Sequence, residues 1–151
     1  MNYLIDTNVL LRFFDLADPR NAEIVAAIDA ITAATTETYV CAQVLIEYWV
    51  SATRPREANG FGLDAAQADL RLAEIETLFT LLPEPPDIAA RWRRLAVEHA
   101  VQGKQAHDAR IVAVMLAHSV THILTLNAAD FARYAEVTVT TPQDILGAPE
   151  A

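Results

Sequence analysis

The chain has 151 residues, 53% hydrophobic and 21% charged, enough for one buried core and too apolar for a disordered chain. Its 20 Asp and Glu against 11 Lys and Arg leave a net charge of −9 and a pI near 4.7, which argues against holding nucleic acid by bulk charge and against a polybasic membrane anchor. The single cysteine, Cys41, excludes an internal disulfide framework and fits a reducing compartment. No apolar run approaches the roughly 18 residues that span a bilayer, and no basic segment precedes the first apolar run as in a signal peptide. One cytoplasmic domain over residues 1–151, with no membrane contact, is therefore expected.

Strand-like and helix-like stretches alternate along the chain. Tyr3-Leu4-Ile5 is a short apolar run that stops at Asp6, as a strand buried on both faces does. Asp18-Pro19 is a helix-start signal, and Ile24, Val25, Ile28 and Ile31 follow at helical spacing up to Thr35-Thr36. Tyr39-Val40-Cys41 reads as a second strand. An apolar helix from Gln43 stops at Thr53, before Arg54-Pro55, and Arg54 to Leu63 is a loop rich in Pro, Asn and Gly. Asp64 caps a helix that carries Leu70, Leu72, Ile75 and Leu78. Thr80 to Leu82 is a candidate third strand. Pro85-Pro86 opens a helix through Trp92 and Leu95, Gly103 breaks it, and another helix starts near Asp108. Ile123 to Leu126 and Val137 to Val139 complete five strands. Strands separated by helices imply βαβ units and a mostly parallel sheet, an α/β fold.

In such a sheet ligands bind beyond the carboxyl ends of the strands. Asp6 follows the first strand, Glu47 lies a turn into the helix after the second, and Asp130 follows the fourth. Asp108 joins them if the Gly103 turn brings its helix back to that edge. Each has a plainer reading: Asp6, Asp108 and Asp130 are all plausible helix caps. Glu47 sits among Val44, Leu45, Ile46, Tyr48, Trp49 and Val50, in a helix expected to be buried nearly all round. A buried carboxylate needs a partner, for which Arg110 is one candidate and a metal ion another. Clustered carboxylates repel one another unless a cation joins them, and oxygen donors favour Mg²⁺ or Mn²⁺ over zinc.

Four segments carry a resemblance: Leu4-Ile5-Asp6-Thr7-Asn8-Val9-Leu10, Glu47 in its apolar helix, His107-Asp108-Ala109-Arg110-Ile111, and Thr125-Leu126-Asn127-Ala128-Ala129-Asp130-Phe131. In this order and spacing, nearly the whole chain resembles the PIN-domain nucleases, specifically the VapC-type toxins of bacterial toxin–antitoxin pairs. The resemblance implies a three-layer αβα domain with a short central sheet of four to five strands. It implies that Asp6, Glu47, Asp108 and Asp130 gather around one or two Mg²⁺ ions, with Mn²⁺ able to substitute. Thr7, Asn8, Thr125 and Asn127 would orient those carboxylates. The implied activity is an endoribonuclease leaving 5′-phosphate and 3′-hydroxyl ends, in a homodimer silenced by a small antitoxin.

Other features have two readings each. Arg91, Arg93 and Arg94 form a basic cluster that is either a solvated helix face or an RNA-backbone contact; Arg110 is a further substrate-binding candidate. His107 either positions substrate or supplies polarity at a helix start. The segment Asn59-Gly60-Phe61-Gly62-Leu63 either touches RNA or only turns the chain. His118 and His122 are four apart without a third soft ligand, which argues against zinc. Trp49 and Trp92 read as core. A haloacid-dehalogenase-type phosphotransferase also uses a first-strand Asp, but expects a second Asp where this chain has Asn8. A catalytically inactive PIN-like binding module is the remaining alternative.

Overall fold

The computed structural model describes residues 1–35 and 37–147; Thr36, half of the Thr35-Thr36 helix stop, lies outside the described residues. The strands are β1 (Tyr3–Ile5), β2 (Thr38–Val40), β3 (Thr80–Leu81), β4 (His122–Leu124) and β5 (Thr138–Thr140). They form one sheet in the order β3-β2-β1-β4-β5, with every neighbouring pair parallel. The helices are α1 (Thr7–Phe13), α2 (Asn21–Ala34), α3 (Ala42–Thr53), α4 (Ala65–Leu78), α5 (Ile88–Glu98), α6 (Gln105–Ala117), α7 (Ala128–Phe131) and α8 (Pro142–Leu146). Successive strand residues point to opposite faces. Leu4 and Ile5, like Ile123 and Leu124, are fully buried, so both faces of the sheet are covered. The architecture is the α/β sandwich expected. No described helix is long and apolar enough to cross a membrane.

The path of the chain determines where a site can form. From β1 it moves outward through β2 to β3, then returns to the other side of β1 for β4 and β5. The direction of winding therefore reverses between β1 and β4, the switch point where the connecting segments leave adjacent strand ends in opposite directions and open a crevice. Asp6 ends β1 on one side of that point and Thr125 ends β4 on the other.

Several boundaries differ from the sequence reading, each for a local reason. Helix α1 goes unmarked by periodicity because Val9, Leu10 and Leu11 run together; Asp6 caps it by accepting from the Thr7 N–H at 2.8 Å. The Asp18-Pro19 signal makes a turn ahead of α2 and not its first residues, with the Asp18 carboxylate accepting from Arg20 N–H and its carbonyl from Asn21 N–H. Helix α6 begins at Gln105, so Asp108 lies in its first turn and does not cap it. Strand β4 ends at Leu124, because Leu126 N–H turns to the Asn8 side chain. Helix α8 follows a Thr141-Pro142 start with a capping box to Asp144, a signal present in the sequence but not read from it. Helix α3 is not buried all round: Ile46 is 52% exposed and Val50 49%. Trp92 packs on the core and donates to the Ala106 carbonyl at 2.8 Å, while Trp49 is half-buried.

This distribution of burial makes a stability prediction. Ile123→Ala, at a fully buried position of β4, is expected to cost about 2–5 kcal/mol of unfolding free energy, whereas Ile46→Ala stays within about 0.5 kcal/mol. Urea denaturation of the two variants measures the contrast.

Candidate active site

The site begins with a carboxylate that the backbone cannot avoid burying. Asp6 is 5% exposed, because it ends a central strand and its N–H still pairs with the Leu124 carbonyl at 3.0 Å. Its Oδ1 accepts from Thr7 N–H at 2.8 Å; its Oδ2 accepts from the Thr125 hydroxyl at 2.8 Å and from Asn8 Nδ2 at 3.2 Å. Asn8 also donates to Thr125 Oγ1 at 3.3 Å and accepts from Leu126 N–H at 3.0 Å, and Asn127 N–H donates to Thr125 Oγ1 at 3.1 Å. Asn8 thereby ties the start of α1 to the segment after β4 across the switch point. Asp6 is a helix cap, as one reading had it, and the same carboxylate joins the network: one oxygen caps α1 and the other accepts from Thr125 and Asn8.

Glu47 is half-buried and held from two sides. Thr7 Oγ1 lies 3.2 Å from Glu47 Oε2 and 3.2 Å from the Val44 carbonyl, and has one proton to share between them. Gln43 Nε2 donates to Glu47 Oε1 at 2.8 Å. Arg110 does not reach Glu47. It donates to Gln43 Oε1 at 2.8 Å, and its Nη2 lies 2.6 Å from Glu84 Oε1. Gln43, 5% exposed, is the residue the sequence does not single out; its one signal is that it precedes Glu47 by a helical turn.

Asp6, Glu47, Asp108 and Asp130 line one open cleft of about 450 Å³, together with Thr7, Asn8, Asn127 and His107. Thr125 is fully buried beneath it. Asp108 is half-buried and Asp130 exposed. Arg93 and Arg94 border a separate shallow cleft on α5, and Arg91 pairs with Asp87, so none of the three lines the acidic cleft. The cations that do line it are Arg54 and Lys104, neither of which the sequence reading selects for binding. His118 and His122 do not converge: one contacts the Pro83 carbonyl and the other the Thr121 hydroxyl.

Burial and mutual repulsion act together on these acids. The Asp6 carboxyl is pushed up to about 6, chiefly by burial and further by Glu47 and Asp130, against the lowering effect of its hydrogen bonds. Asp108 is pushed up to about 7 by burial, then by Asp6, Glu47 and Asp130, with Arg133 opposing. Among the described residues no Arg, Lys or His makes a salt bridge to any of the four. A group of carboxylates without a salt-bridge partner, in which Asp6 and Asp108 resist ionisation, is a donor set that fits a hard divalent cation. No three of the four offer ligand atoms within 4.8 Å of one another; among the described residues only Glu98, His99 and Glu136 do, and there His99 already pairs with Glu136 at 3.2 Å. An ion in the acidic cleft would therefore keep water ligands, as Mg²⁺ does.

The raised Asp108 pKa sets the sign of a stability effect. The charged form is disfavoured in the folded chain, so the stability this group contributes is fully present below its ordinary value of 3.8 and is lost as pH rises through about 7. Without metal, Asp108→Asn is expected to melt above the unsubstituted chain at about pH 8, with the gap closing towards about pH 4. Mg²⁺ should raise the melting temperature of the unsubstituted chain and leave the variant unmoved. Thermal denaturation in chelator and in Mg²⁺ measures both; a variant that melts lower at the higher pH contradicts the electrostatic account.

Comparison with known proteins agrees with this geometry. No curated protein shows a significant sequence match. Among solved structures, FitAcB from Neisseria gonorrhoeae is similar with 26% identity and a TM-score of 0.65, over 93% of this chain and 97% of that one. VapBC2 from Rickettsia felis, bound to a DNA fragment from their promoter, has 14% identity and a TM-score of 0.70 over 93% and 98% of the two chains. VapC20 from Mycobacterium tuberculosis, a Sarcin-Ricin loop cleaving toxin, has 15% identity and a TM-score of 0.65 over 88% and 95%. At 14% and 15% identity these last two share the fold alone. The PIN domain model matches residues 3–137, nearly the whole span that builds the sheet and the acidic cleft, and the chain accordingly belongs to the PIN-domain family of nucleases.

Proposed function

We propose that the chain is a Mg²⁺-dependent endoribonuclease and the toxin of a toxin–antitoxin pair, built as a single domain. The observation that carries this reading is the convergence of Asp6, Glu47, Asp108 and Asp130 on one cleft without a basic partner. Asp6 and Asp108 would hold the ion, Glu47 would bind it directly or through water, and Asp130 would hold a second ion or the surrounding water. A divalent ion held by these residues would supply polarisation of a phosphodiester and activation of water. Thr7, Asn8 and Thr125 keep the carboxylates oriented through the hydrogen bonds described, and Gln43, braced by Arg110, does the same for Glu47. Cleavage of the P–O3′ bond then leaves 5′-phosphate and 3′-hydroxyl ends.

The toxin assignment rests on likeness. Structures similar to this chain include VapC20, described as a toxin that cleaves the Sarcin-Ricin loop, and a toxin–antitoxin complex from Klebsiella pneumoniae at 24% identity. By the same likeness the partners are an RNA substrate, a small antitoxin and a second copy of the chain in a homodimer, in the cytoplasm.

Incubating the purified chain with cellular RNA and mapping the 5′ ends tests the reading. The expected outcome is discrete cuts bearing 5′-phosphates that need Mg²⁺ or Mn²⁺, vanish in chelator and vanish in Asp108→Asn. Cuts that persist in chelator or in that variant would sink it.

A further inference from the structure

We propose that Arg54 and Lys104 form the phosphate-holding part of the acidic cleft, gripping the RNA backbone beside the phosphodiester held at the carboxylates. The proposal rests on the nuclease reading for the identity of its ligand, and on the following observations for its residues.

The chain carries 11 Lys and Arg against 20 Asp and Glu, so a cation placed at an acidic cleft needs a reason. Arg12, Arg71, Arg91 and Arg110 are each paired with a carboxylate. Arg133 is engaged by Gln105 and the His99 carbonyl. Arg20, Arg56, Arg93 and Arg94 are also without a side-chain partner among the described residues, but none of them lines the acidic cleft; Arg54 and Lys104 do line it, both are exposed, and neither side chain makes a hydrogen bond or salt bridge there. Beside four carboxylates, two unpaired cations are poised to receive an anion that the carboxylates alone would repel. Lys104 is the chain's one lysine, at the N-cap of α6 directly after Gly103, which has φ +60°.

The backbone of Arg54 is held by the segment Asn59 to Leu63, whose role the sequence leaves open. That segment folds back over the end of α3. Phe61 N–H donates to the Ser51 carbonyl at 3.2 Å, Leu63 N–H to Ala52 at 2.9 Å and Gly62 N–H to Arg54 at 2.9 Å. These bonds satisfy carbonyls that a helix end leaves unpaired. Gly60 approaches so closely that a Cβ there would lie 1.9 Å from the Arg54 carbonyl oxygen. Asn59 and Gly62 both take the left-handed conformation, at φ 64°. None of these five residues lines the cleft; they serve as a turn that fixes where the arginine is. Arg54 is thus the C-cap of a buttressed helix end, with an exposed side chain that lines the cleft.

Fluorescence anisotropy of a short fluorescein-labelled single-stranded RNA, titrated with salt in Ca²⁺ to hold back cleavage, tests the clamp. For single strands each phosphate contact contributes about 0.7 to the slope of log K against log salt. Arg54→Ala combined with Lys104→Ala is expected to reduce that slope by about 1.4, Arg54→Lys with intact Lys104 to keep it, and Arg93→Ala with Arg94→Ala to leave it unchanged. Gly60→Ala is expected to lower affinity as Arg54→Ala does. In Mg²⁺ turnover the double variant should raise KM while kcat holds. Thermal melting confirms that the variants are folded, and loss of the slope in Arg54→Ala with retention in Arg54→Lys separates charge from structure. An unchanged slope in the Arg54/Lys104 variant, an equal loss in the Arg93/Arg94 variant, or no RNA binding by the unsubstituted chain overturns the proposal. Binding that depends on Arg54 and Lys104 in a chain that leaves RNA uncut in Mg²⁺ would uphold the clamp and overturn the nuclease reading. Cleavage with unaltered KM in the double variant would do the reverse.

Discussion

The hydrogen bond from the Thr125 hydroxyl to Asp6 Oδ2 joins the ends of the two strands between which the sheet reverses its winding. Both groups are buried, so losing this bond would leave a buried polar group without its partner. Much else follows from that constraint. Asp6 must be where it is because β1 ends there and α1 needs a cap; Thr125 follows β4 with its N–H still bonded to the Thr140 carbonyl at 2.9 Å, while its hydroxyl donates to Asp6. Asn8 then spans the gap between the two segments. The result is a carboxylate fixed in position at a crevice, with Glu47, Asp108 and Asp130 brought to the same opening by three different helices.

The energetic character of this arrangement differs from that of the rest of the molecule. Elsewhere the chain pairs its charges conventionally, as Arg110 does with Glu84 and Arg91 with Asp87. At the cleft it places acids together without a salt bridge, and burial first and their mutual repulsion second push Asp6 up to about 6 and Asp108 up to about 7. Like charges held together in a cleft by neighbouring hydrogen bonds, at a cost in local stability, are the arrangement that a proposed site for chemistry calls for. The overall charge of −9 takes on a narrower meaning in this light. It opposes RNA held by bulk charge, while two cations at the rim of the cleft supply attraction locally.

Much of the fold was legible because strands buried on both faces appear as short unbroken apolar runs. Tyr3 to Ile5 and Ile123-Leu124 are of that kind, and Asp64 announced the start of α4 as its N-cap. Helix α1 was not legible, since three consecutive apolar residues in a seven-residue helix do not show a period. The four acids could be listed from their places after strands, but Asp108 could not be brought to the cleft by topology alone; the α5–α6 turn does that. The exposure of Ile46 and Val50 was hidden because an apolar residue carries no mark of whether a neighbour covers it. Gln43 and Arg54 were hidden for a related reason. A glutamine that braces a carboxylate and an arginine fixed by a distant glycine have meaning only through contacts that close in three dimensions.

The central claim is that the acidic cleft is a site for a divalent cation, and isothermal titration calorimetry with Mn²⁺ near neutral pH tests it most directly. The account predicts saturable binding with release of protons, because Asp108, pushed up to about 7, is partly protonated there and must give up that proton. It predicts that this heat is lost when Asp108 is replaced by Asn. Absence of a binding heat in the unsubstituted chain, or an unchanged heat in the variant, would contradict it.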